Sequence, residues 1–114
     1  MSTSAAQAAA FFTELGADGS VWTIEDDAGI PAPVGATGER AMPFWSRKSR
    51  ALSVIATAPA YAGFRPRQIS RAEFESRWLP GLAEDGLLIG VNWAGERATG
   101  YELSVDDFLA RLPA

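Results

Sequence analysis

The stretch LLIGVNW, Leu87 to Trp93, decides how this chain folds. Read as a strand, it sets Leu87, Ile89, Val91 and Trp93 on one face and Leu88, Gly90 and Asn92 on the other. Both faces are largely apolar, so the strand belongs near the middle of a sheet with cover on each side. Asn92 is the one polar interruption. A buried amide without partners costs about 1–3 kcal/mol, so Asn92 is expected to tie the strand to a nearby loop backbone or to serve a pocket.

Downstream, AGERATG is a turn and YELS the strand's hairpin partner. Ser104 then caps a helix with Val105, Phe108, Leu109 and Leu112 at helical spacing. Upstream, Gly86 stops a helix on which Phe74, Trp78 and Leu82 recur every fourth residue and Pro80 forces a kink or break. Ser70 and Glu73 open that helix as a capping box. The segment AGFRPRQI before it is extended, because a residue preceding proline avoids helix.

Further back, Ser46 is placed to cap a helix ending near Ala58, with Ala51, Leu52, Ile55 and Ala58 on its apolar side. RAMPFW is a strand ending at Trp45, preceded by a turn in GATGE. In SVWTIEDDAGIPAPV we expect a strand, a turn at Ala28-Gly29 and a returning edge strand weakened by Pro31 and Pro33. A first helix spans Ser4 to Leu15, with Ala8, Phe11, Phe12 and Leu15 on one side and Gly16 as its stop. The order predicts an α+β fold: a mostly antiparallel sheet of about five or six strands packed with about four helices. It forms a single compact domain over residues 1–114, with residues 1–3 a flexible terminus.

Composition narrows the chemistry. Hydrophobic residues make up 47% of the chain, enough for a real core. There is no His and no Cys, which removes the usual general base, the thiol nucleophile and imidazole or thiolate metal ligands. Asp26-Asp27 beside Gly29 is a polar turn rather than a calcium loop, so neither a metal nor another cofactor is expected. No run approaches the roughly 18 apolar residues that cross a bilayer. The first residues lack the basic start of a secretory signal, so the expected location is cytoplasmic.

Four phrases taken together, VWTIEDDAG, PFWSRKSRA, FESRWLPGLAEDGLLIGVNW and LSVDDFLARL, resemble the bacterial family of the domain of unknown function DUF2750. The pattern falls on Trp22, Pro43, Trp45, Ala51, Trp78, Leu79, Pro80, Leu82, Asp85, Gly86, Val91, Asn92 and Trp93, over about Ala8 to Leu112. The resemblance implies small single-domain proteins. It brings no activity, cofactor or catalytic residue, and Arg47 and Lys48 lie outside its motif.

Charge gives the remaining pointer. Between Arg40 and Arg77 the local net is +6, leaving −10 for the rest of a chain whose total is −4. Arg47, Lys48 and Arg50 crowd a helix start, where the backbone dipole disfavours cations. With Arg65, Arg67 and Arg71 they are the candidate surface for an acidic protein partner or a small anion. Without a glycine-rich phosphate loop a nucleotide fold is not supported, and nucleic acid, which would need more than one basic patch in an acidic protein, is not the expected partner. The opposing reading leaves these side chains solvated, at a cost of about 0.3–1 kcal/mol. On the binding reading, alanine at residues 47, 48 and 50 should leave stability nearly unchanged or slightly raised while reducing binding to a native partner. Catalysis would fall to a carboxylate, Tyr61, Tyr101 or Lys48, but Glu25-Asp26-Asp27 and Glu84-Asp85 are neighbours whose side chains point apart. The expectation is a non-enzymatic protein-interaction or regulatory module with a basic face, able to form a homodimer and without membrane contact. The alternative is a small-ligand binder, or a weak carboxylate-dependent hydrolase, using a pocket bordered by Trp45, Asn92 and Trp93.

Overall fold

The computed structural model describes residues 3–112 except residue 36, and only the backbone of residues 17 and 18. Helix α1 (Thr3–Asp18) leads into β1 (Ser20–Glu25), followed by β2 (Ala41–Phe44) and α2 (Lys48–Thr57). A 3-10 turn (Pro59–Tyr61) and β3 (Arg65–Ser70) come next. One helical stretch then joins α3 (Arg71–Glu73), a π-helical turn (Phe74–Trp78) and α4 (Leu79–Glu84). Strands β4 (Leu88–Ala94) and β5 (Thr99–Leu103) precede α5 (Val105–Arg111). Of the expected flexible terminus, residues 1 and 2 lie outside the described residues, while Thr3 begins α1.

The fold is α+β, but the single large sheet is replaced by two small ones. Strands β1 and β3 pair antiparallel, and β2, β4 and β5 form a second sheet with β4 in the centre. Strand β4 runs parallel to β2 and antiparallel to β5. The two sheets meet at one bridge, where Trp22 and Trp45 exchange backbone bonds of 2.7 Å. Extending that antiparallel ladder would set Ile24 against Pro43, which has no N–H to give. The Thr23 hydroxyl donates to the Pro43 carbonyl at 2.8 Å instead. The returning edge strand does not form either. After the turn at Asp26–Gly29 the chain passes through Pro31 and Pro33 as a loop, held by isolated bridges. In GATGE the turn closes through Gly35 and Gly38, with residue 36 outside the described residues.

Helices cover both faces. On one, Phe11, Leu15, Phe44, Phe74, Leu82, Ile89, Val91 and Phe108 are buried together. Their rings form an edge-to-face series: Phe44 to Phe74 at 4.9 Å, Phe74 to Phe108 at 5.6 Å and Phe108 to Phe11 at 5.7 Å, a geometry that adds about 0.5–1.5 kcal/mol per pair beyond area burial. On the other face Ile24, Trp45, Ala51, Val54, Tyr61 and Trp93 pack beneath α2.

Local signals explain most element ends. Ser70 accepts from the Glu73 amide at 3.1 Å, and Ser104 from the Asp107 amide at 3.0 Å. At Gly86 (φ 69°) the chain turns left-handed, while Leu87 donates back to the Leu82 carbonyl. Pro80 does not break its helix. The preceding π turn, closed from the Leu79 amide to the Phe74 carbonyl, widens the spiral where the proline ring would crowd it. Helix α1 ends at Gly19 (φ 67°) rather than Gly16. On α2 Ala51 is buried as expected, with Val54 beside it, whereas Leu52 is exposed; on α5 Leu109 is exposed.

Candidate functional site

Two polar places deserve comparison, and the first is where the RKSR run sits. Ser46 does not cap α2. The cap position belongs to Arg47, which makes no side-chain cap bond, and Ser46 is fully buried. Its amide donates to Asn92 Oδ1 at 3.0 Å, its hydroxyl donates to Glu14 Oε1 at 2.5 Å, and it accepts from Asn92 Nδ2 at 3.0 Å. Asn92 also donates to the Gln7 carbonyl on α1 at 3.1 Å. It therefore ties β4 both to the Ser46 backbone and to the first helix.

Asn92 can reach them because its backbone is left-handed, with φ 50°. The pairing with β5 slips there between Val91 and Ala94. This bulge undoes the strict alternation of LLIGVNW. Ile89 and Val91 stay in the α1 core, but Trp93 turns to the α2 core, where Leu88 also packs. Its ring lies where a Cβ on Gly90 would stand and close to Gly100, and its indole N–H donates to the Tyr101 carbonyl at 3.1 Å.

The second finding concerns the cations. Arg50 grips Glu14 with two bonds, Nε to Oε1 at 2.8 Å and an Nη to Oε2 at 2.7 Å, and donates to Gln7 Oε1 at 2.6 Å. Arg47 stands 3.4 Å from the same carboxylate. The anion that draws this helix start together belongs to the chain itself. The Arg50 hydrogen bond, aided by Ser46, outweighs burial and holds Glu14 down at about 2. Arg65 and Arg67 both pair with Glu25, Arg65 also with Asp27, and Arg71 with Glu75. Lys48 lies 5.7 Å over the Trp22 ring. The basic run is thus matched by carboxylates from the acidic remainder at Arg47, Arg50, Arg65 and Arg67, and by Glu75 of the run itself at Arg71.

Neither Trp45 nor Asn92 borders a large cavity. Trp45 is fully enclosed, with its indole N–H on the Trp93 carbonyl at 2.8 Å. Asn92 lines only a small hollow of about 140 Å³ beside Gln7 and Arg50. Trp93 does line a larger cavity, of about 390 Å³, on its other side. The loop at Pro33–Gly35, Tyr61, Arg97 and Glu102 close that space. Glu102 Oε1 is shut off from solvent and has no hydrogen-bond partner among the described residues. Burial first, and the charge of Glu39 second, push its carboxyl above the ordinary glutamate range. Its carboxylate occupies the space a Cβ on Gly35 would need. Burial likewise raises the Tyr61 hydroxyl. A third space, an open groove of about 410 Å³, runs along Met42, Trp78 and Leu87, with Arg67 stacked 5.2 Å from the Trp78 ring.

Sequence reading missed Glu102, Arg97 and the Gly35 contact. Only the two glycines that make room for the Trp93 ring, Gly90 and Gly100, left a trace in the sequence, and neither announces a carboxylate. Among the described residues no group of His, Cys, Asp and Glu could hold a metal ion, and no helix is long and apolar enough to cross a membrane.

No curated protein matches the chain. A family model described as "Protein of unknown function (DUF2750)" matches residues 8–112, a span containing Asn92, Trp93, Glu102 and Glu14 alike. That span holds all four phrases that carried the resemblance, and the chain belongs to the DUF2750 family.

Proposed function

We propose that this protein is a non-enzymatic cytoplasmic module that binds a small ligand in the cavity between Trp93, Tyr61 and Glu102. One observation carries the reading: Glu102, which lines a cavity of about 390 Å³, has a carboxylate oxygen out of solvent and without a donor among the described residues. Natural proteins seldom leave a buried acceptor unpaired, and a bound ligand is one way to complete the set. Binding is favoured over turnover. The hydroxyl that does donate to a carboxylate, Ser46, is fully buried, and its partner Glu14 stays ionised far below neutral pH. Such a carboxylate is a poor proton acceptor. The reading keeps Trp93 from the sequence-derived pocket and replaces Trp45 and Asn92 with Glu102 and Tyr61. A nitrogen-15 correlation spectrum recorded against a fragment collection tests it. Shifts confined to Gly35, Tyr61, Trp93 and residues 97–102 support the site; shifts confined elsewhere, or none, refute it.

A protein-interaction role is the second reading. Arg65 and Arg67 support it, since their side chains stay 56% and 46% exposed despite their ion pairs. An acidic partner would have to displace Glu25. Glu25→Gln should then tighten binding of a hexaglutamate peptide, and an unchanged or weaker affinity would remove this reading.

A further inference from the structure

We propose that the Glu102 cavity takes an organic cation, a protonated primary amine on a short aliphatic chain. This deepens the binding reading above and depends on it. Three features converge. The first is Oε1 of Glu102, shielded from solvent and without a donor among the described residues. Arg97 lines the same space, yet its guanidinium does not satisfy that oxygen. The second is the sign of the surroundings: Glu39 adds negative charge near enough to raise the Glu102 carboxyl further. A second carboxylate would be repelled there, whereas an ammonium relieves both charges at once.

The third feature is the wall. Trp93 and Tyr61 are aromatic, and Pro33, Val34 and Ala98 add apolar surface. An ammonium beside an aromatic ring gains from its quadrupole, and the aliphatic tail gains from the apolar lining. Gly35 leaves room for the carboxylate, since a Cβ at that residue would meet both oxygens and push the side chain aside. Trp93 is fixed by its bond to the Tyr101 carbonyl and by the space at Gly90 and Gly100. The aromatic wall is thus preorganised, and the partner that Glu102 lacks among the described residues is a donor, best met by one with positive charge.

Three probes of equal chain length separate charge from shape: butylammonium, butan-1-ol and butyrate, each titrated into the full chain by nitrogen-15 correlation spectroscopy. The reporters are the Trp93 indole N–H and the Gly35 and Gly100 amides. Butylammonium should bind about tenfold more tightly than butan-1-ol, the advantage of one charge-assisted hydrogen bond, and butyrate least. Glu102→Gln should erase the advantage of the amine over the alcohol. Gly35→Ala, which pushes the carboxylate out of its seat, should act in the same direction and guards against a fold defect peculiar to the first variant. If the alcohol or butyrate binds as well as the amine, the charge inference fails and the binding cavity stands. If no probe moves the three reporters, the binding reading fails with it.

Discussion

Glu14 and Glu102 are the same residue in opposite circumstances. Glu14 accepts from Arg50 twice and from Ser46 once, and its acid form is suppressed down to about 2. Glu102 has an oxygen closed off from water with no donor among the described residues, and burial raises its carboxyl above the ordinary range. The lesson is about completeness. A partly buried carboxylate on α1 whose donors are supplied by Ser46, just before α2, and Arg50 on α2 braces the fold. One whose donors are withheld weakens the fold at neutral pH and gains from whatever supplies them.

The largest expected effect tests the brace. Arg50→Ala leaves Glu14 and Gln7 without their shared donor and should cost about 3 kcal/mol in urea unfolding. This reverses the expectation of little change when residues 47, 48 and 50 become alanine, and a loss below about 1 kcal/mol would restore it. The pH dependence carries the same signature. Because the folded value of Glu14 lies below its unfolded value, its contribution is complete above about 4.5 and disappears as the pH falls toward about 2. In Arg50→Ala that acid loss should flatten.

A middle-sized effect belongs to Asn92. Asn92→Ala removes its bonds to Ser46 and Gln7 yet keeps a left-handed backbone, so about 2 kcal/mol should be lost. Asn92→Gly relieves the backbone alone and should recover about 0.5–1 kcal/mol of that in the same assay. Equal losses in the two variants would show that the left-handed turn carries no strain.

The smallest effect has the opposite sign. Glu102→Gln should raise stability by about 1 kcal/mol at neutral pH, since it deletes a charge that burial opposes. Here the folded value lies above the unfolded one, so the penalty is full above the folded value and vanishes below the unfolded value. Wild type and variant should therefore converge near pH 4. A variant less stable than wild type at neutral pH would mean that Glu102 has a donor in solution, and the contrast with Glu14 would collapse.

What the sequence discloses follows the reach of each interaction. Ser70, Ser104 and Gly86 act within five residues of themselves, and each ends or starts an element as expected. Ser46 carries the same local signal and does something else, because Glu14 and Asn92 claim it from 32 and 46 residues away. The alternation in LLIGVNW correctly marks a central strand, yet one left-handed residue reverses the last side chain. Sheet division turns on Pro43 meeting β1, an encounter that exists only after folding. The arginines show the same limit: their clustering in sequence is visible, while their carboxylate partners come from three separate segments.

The bond from Asn92 to Gln7 spans 85 residues, and its consequence concerns birth rather than equilibrium. On the ribosome, α1 emerges long before β4 and α5 do, so the part of the Phe11 and Leu15 core built by Ile89, Val91 and Phe108 closes late. Nascent chains stalled before residue 92 should therefore be protease-sensitive along their first helix and dependent on chaperones that hold apolar segments.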